Sequence, residues 1–133
     1  MKKLITFILL FLLMFALLAC TAQKIDKAKP VFETENITHI TLCMASTDDK
    51  GFEVPQEHLA EITTWLGSFR IAEKADDLPP GSNFYSVRIE YADGTVIENS
   101  LSTIKVGRVT YNMRYGTMPR CFYEILSLEE SAQ

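Results

Sequence analysis

The chain is short of the residues that build metal centres and disulfide scaffolds: it has two histidines and three cysteines in 133 residues. Neither His39 nor His58 stands in an H-x-x-E-H or H-E-x-x-H spacing, so neither a metal site nor a cofactor is expected. G-x-S-x-G, the phosphate-binding P-loop and the dinucleotide fingerprint are also missing, which removes the motif routes to a serine hydrolase or a nucleotide enzyme. A Ser–His pair assembled only in space is not addressed by that absence. No acid and base can be named.

The one long apolar run lies at the N-terminus, where Lys2 and Lys3 precede Leu4 to Ala19, broken only by Thr6. Its sixteen residues fall short of the roughly 20 that cross a bilayer core as a helix. Charged start and apolar middle together read as an export signal over residues 1–19. Leu17, Leu18, Ala19 and Cys20 resemble the bacterial lipobox, in which a small residue precedes a cysteine that takes a diacylglyceryl group before cleavage. Two acyl chains at about 0.8 kcal/mol per buried CH₂ suffice for a stable anchor. The expected partner is thus the membrane, through lipid on Cys20. The expected location is the outer face of the cell membrane or the outer membrane.

Basic residues are scarce in what remains. Without Lys2 and Lys3 there are 11 Lys plus Arg against 17 Asp plus Glu, a net charge of −6. Nucleic acid is therefore not an expected partner. The 114 residues from Cys20 onward suit a single domain.

Residues 20–36 are polar, mixed in charge and interrupted by Pro30, and read as a flexible tether. A single domain is expected over residues 37–128, followed by a tail at 129–133. Ile40, Leu42 and Met44 alternate with polar neighbours as in a half-buried strand. Asp48 to Gly51 read as a turn, and Phe52 to Val54 as a short return strand. Leu59, Ile62, Leu66 and Phe69 recur at helical spacing, predicting a helix over 55–67 that ends near Gly67. Arg70 to Ala75 is a further candidate strand, and Asp76 to Asn83, with Pro79, Pro80 and Gly81, a loop.

From Tyr85 to Leu101 the register is decided by charge. A two-residue turn at Asp93 and Gly94 pairs Ile89 with Glu98, which puts a carboxylate on the apolar face. A three-residue loop with Gly94 left-handed in a G1 bulge pairs Ile89 with Ile97 and Arg88 with Glu98. The second arrangement is the one expected, because a slip of one residue turns every side chain to the wrong face. Ile104–Val106 and Val109–Asn112 form another hairpin about Gly107 and Arg108. Pro119 opens a short helix with Phe122, Ile125 and Leu126. The expected fold is α+β: an antiparallel sheet of hairpin-linked strands packed against one main helix, with a short C-terminal helix.

His58 beside Glu57 and Glu61 reads as a solvated helix face. Asp48 with Asp49 and Asp76 with Asp77 lack the alternating ligands of a calcium loop and read as exposed turns. Two readings of Cys43 and Cys121 stay open: a bridge closing 79 residues, worth about 4.5 kcal/mol in the chain-entropy picture, or two ordinary thiols. From Leu101 to Tyr123 there is no acid. Lys105, Arg108, Arg114 and Arg120 are interspersed there with Tyr111, Tyr115, Phe122 and Tyr123. The segment is a candidate patch for an anionic ligand, headgroup or acidic partner, to be weighed against a solvated hairpin face.

The succession from Ile37-Thr-His-Ile-Thr-Leu through Asp-Asp-Lys-Gly and the helix to Ser86-Val-Arg-Ile-Glu-Tyr-Ala-Asp-Gly-Thr and a Gly-x-x-x-Tyr hairpin resembles the small bacterial lipoprotein domains of unknown function. That resemblance covers about residues 37–127 and implies no catalytic residue. Three roles follow in order of expectation. The first is a non-enzymatic binding module that contacts a ligand or another envelope protein. The second is an inhibitor or immunity lipoprotein that blocks a secreted enzyme or toxin, and the third a small envelope hydrolase.

Overall fold

The computed structural model describes residues 3, 5, 6, 24–44, 51–76 and 85–127. Cys20, the turn residues Asp48 to Lys50, the loop residues Asp77 to Asn83 and the tail 129–133 lie outside the described residues. None of the described helices is long and apolar enough to cross a membrane.

The elements run β1 (Ile37–Met44), β2 (Gly51–Glu53), α1 (Gln56–Leu66), β3 (Arg70–Lys74), β4 (Tyr85–Tyr91), β5 (Val96–Ser100), β6 (Thr103–Val106), β7 (Val109–Arg114) and α2 (Arg120–Ser127). The class is α+β and every strand pairing is antiparallel. The strands divide between two sheets, ordered β2-β1-β4-β5 and β3-β7-β6. The division falls at Leu101 and Ser102, where the chain leaves one sheet for the other. Leu101 N–H still bonds Tyr85 O at 3.0 Å, whereas Ser102 O already accepts from Met113 N–H at 2.9 Å.

Alternation in β1 and β4 carries the core of the larger sheet. Ile40, Leu42, Val87 and Ile89 are all buried to within 1 %, and the register sets Ile40 against Ile89 and Leu42 against Val87. The β4–β5 hairpin has the bulged register, with Ile89 opposite Ile97 and Arg88 opposite Glu98. Gly94 sits at φ 86°, in the left-handed region where only glycine is unstrained. In the second hairpin Gly107, at φ 62°, takes the first turn position, the placement of glycine in a II′ turn.

Helix α1 lays Ile62, Trp65 and Leu66 on the core, each contributing about 1.5–3 kcal/mol by burial. Pro55 stands at its N-cap rather than inside its first turn. At the other end Gly67 keeps a right-handed φ of −64°. The glycine there serves a close approach: a Cβ would lie 3.4 Å from the Thr34 side chain and 3.3 Å from Thr64 O.

Thr34 belongs to the stretch expected as tether, whose second half is docked. Phe32 is 2 % exposed and meets Phe69 edge-on at 5.3 Å. Val31 N–H bonds Phe69 O at 3.0 Å, and Tyr91 donates its hydroxyl to Glu33 O at 2.8 Å. The packed domain therefore begins before Ile37. Around Phe69 the rings of Trp65, Tyr115 and Phe122 complete an aromatic cluster that joins α1, α2 and the smaller sheet.

Candidate functional site

Arg114 ends β7, and Tyr115 follows it at the margin of the aromatic cluster. Tyr115 stacks on Phe69 at 4.7 Å, meets Trp65 edge-on at 5.6 Å and still leaves 45 % of its surface exposed. Beside these two residues opens a cleft of about 500 Å³, within the size range of small-ligand sites. Lys27 and Arg114 bring two cations to it, Ser102 and Asn112 bring hydrogen-bonding groups, and Ile71 and Met113 an apolar surface. Glu73 is the one carboxylate among its lining residues.

Strand alternation disperses the rest of the basic aromatic segment. Directly opposed residues share a face, which groups Lys105 with Thr110 and Arg70 with Arg114, but Tyr111 with Ile104 and Lys74. Lys105 and Arg114 thus project from one face and Tyr111 from the other. Lys105 lies opposite Thr110, four positions from Arg114, or about 14 Å along the strand. That exceeds the roughly 8 Å screening length of physiological salt. Arg108 sits in the hairpin turn and Arg120 opens α2. Lys105, Arg108, Tyr111, Arg114, Tyr115 and Arg120 are therefore not one surface: Arg114 and Tyr115 line the cleft, and Lys27, from the expected tether, joins them.

Arg70 faces Arg114 in the register without competing for the same space. Its guanidinium donates to Gly67 O at 2.6 Å and Phe69 O at 2.9 Å, where a cation complements the negative end of α1.

No disulfide joins Cys43 and Cys121. Cys43 lies across from Gly51 and Ser86 on the four-stranded sheet, while Cys121 is buried in the first turn of α2. The structure instead brings Cys121 to His58 and Glu61, with one donor atom of each within 4.8 Å of the others. Burial, contact with Glu61 and the charge of Glu124 push the Cys121 thiol up to about 11, so it is the neutral thiol rather than a nucleophilic thiolate. His58 is half-buried, not a solvated side chain as its neighbours suggested. The spacing of His58 and Glu61, three apart on one helix, was visible in the sequence; their approach to Cys121 depends on how α2 docks and had no local signal.

His39 is exposed on the opposite side of β1, with its ring nitrogens 3.9 Å from Glu53 and from Glu90. Such exposed pairs contribute little.

No protein family, curated protein or solved structure matches the chain.

Proposed function

We propose that the chain is an exported lipoprotein, anchored through lipid on Cys20, whose domain is a non-enzymatic binding module for an anionic group. The group, on a ligand or on another envelope protein, is held in the cleft beside Arg114. The observation that carries this reading is the meeting of Lys27 and Arg114 at one cleft in a chain whose overall balance is acidic. Two exposed cations at the edge of one cleft reinforce each other's attraction for an anion. Ser102 and Asn112 supply donors for its oxygens, and Tyr115 an exposed ring for whatever carries it. Glu73 at the same cleft disfavours an anion that would press against its side. The lining contains neither histidine nor cysteine, which suits holding rather than reacting.

The test is a pair of comparisons in the native envelope. Cys20→Ser is expected to abolish acyl labelling and membrane retention; equal labelling of the variant overturns the anchor. With the anchor intact, the partner recovered by the wild-type protein is expected to elute with salt and to be lost from Lys27→Glu/Arg114→Glu. Undiminished, salt-insensitive recovery by that double variant overturns the cleft as the binding site.

A further inference from the structure

The cluster formed by α1 and α2 shares no residue with the lining of the cleft and is unused by the binding reading. His58 and Glu61 stand on one face of α1, three positions apart and hence neighbours on the helix surface. Cys121 enters from the first turn of α2. Imidazole nitrogen, carboxylate oxygen and thiol sulfur are three different donors, and each is an ordinary ligand for Zn²⁺. Bonds of about 2.0–2.3 Å to a common tetrahedral centre set neighbouring donors about 3.3–3.8 Å apart. The donor atoms lie within 4.8 Å of one another, about an ångström beyond that spacing, and two of the three side chains, exposed Glu61 and half-buried His58, are not locked in the core. Neither His58 nitrogen hydrogen-bonds a described residue, so a ring nitrogen is open to a metal.

We infer that His58, Glu61 and Cys121 form a site for a single divalent zinc-like ion that clips α2 to α1. This departs from the absence of metal expected on sequence spacing. A thiolate and a carboxylate neutralise the two positive charges of the ion, and Glu124 adds negative potential nearby. Sulfur and nitrogen donors favour zinc and its transition-metal neighbours over magnesium or calcium, which demand oxygen. Binding releases the thiol proton to solvent and forms the sulfur–metal bond in its place. Three protein ligands leave a fourth position, filled by water on the open Glu61 side. The ion would replace the polar contact between Glu61 and the Cys121 thiol with bonds from both helices to one centre.

The experiment is titration of the detergent-solubilised full-length protein with Co²⁺, followed by displacement with Zn²⁺. One equivalent of Co²⁺ is expected, with a sulfur-to-cobalt charge-transfer band and the intense visible bands of four-coordinate cobalt. Cys121→Ser is expected to remove the charge-transfer band. His58→Gln and Glu61→Gln, which keep the buried thiol and so the fold, are expected to weaken binding by more than the roughly 10–100-fold that an outer-shell change costs. Cys43→Ser and His39→Gln are expected to bind like the wild type. Absence of the charge-transfer band, its survival in Cys121→Ser, or unchanged affinity in both His58→Gln and Glu61→Gln overturns the site.

Discussion

The two antiparallel sheets, of four and of three strands, differ in what they bury. In the four-stranded sheet Ile40, Leu42, Val87 and Ile89 are at most 1 % exposed, and α1 adds Ile62 and Leu66 at 0 %. In the three-stranded sheet the buried side chains among the described residues are Thr103 and Met113, at 7 % and 8 %. The first sheet carries the apolar burial that stabilises the domain. The second is a thin layer held at one margin by the aromatic cluster, with its polar positions left for a cleft. Stability and binding chemistry therefore occupy different parts of the molecule, and substitutions should separate them.

The largest effect is expected where the two parts are joined. Phe32→Ala removes a ring that is 2 % exposed and packed on Phe69, and should cost about 3–5 kcal/mol. Chemical denaturation checks this, and a loss below 1 kcal/mol would return residues 31–36 to the tether. Ile89→Ala, at the centre of the large sheet, should cost about 2–5 kcal/mol, and Met113→Ala should fall at the low end of that range. Equal losses at the two positions would erase the distinction between the sheets.

The same division explains what could be read before any coordinates. Alternation from Tyr85 to Tyr91, with Glu98 unable to face the core, was enough to choose the bulged register, because local sequence and burial pointed the same way. Leu42, Ile62, Leu66, Val87 and Ile89 stand at the apolar positions of their strand or helix periods and are buried, whereas Ile97, opposite Ile89, is only half-buried. What period cannot convey is where a sheet ends. The chain bends at Leu101 and Ser102, and there the hydrogen-bond partner switches from Tyr85 to Met113. Phe32 was hidden for a different reason: one aromatic residue in a polar stretch has no period. In the basic segment closeness in sequence is not closeness in space, because alternation sends Lys105 and Tyr111 to opposite faces. The cluster of His58, Glu61 and Cys121 was illegible because its third member arrives from a separate helix.

A smaller effect should mark the hairpin. Gly94 has open space where a side chain would go, but its φ of 86° is unfavourable to any L-residue. Gly94→Ala should therefore cost about 1–2 kcal/mol through backbone strain alone. Thermal melting should show this loss with Ile89 packing retained, and an unchanged melting temperature would place the register elsewhere than in the bulge.

The smallest effect concerns Tyr91, whose hydroxyl holds the docked N-terminal segment to the large sheet through Glu33 O at 2.8 Å. Partial burial, with Glu33 and Asp93 nearby, raises its phenol above the ordinary 10.0. A raised folded value means that the native state keeps the proton longer than the unfolded chain. The resulting stability is fully present below pH 10 and is lost as pH rises from 10 through the folded value. Ionisation also removes the donor of the bond to Glu33, which acts in the same direction. Tyr91→Phe should cost about 0.5–1.5 kcal/mol at neutral pH and, more tellingly, should flatten the alkaline limb of stability against pH. The segment is only tied there if that limb changes; parallel curves for Tyr91→Phe and the wild type would show that the hydroxyl contributes nothing to holding it.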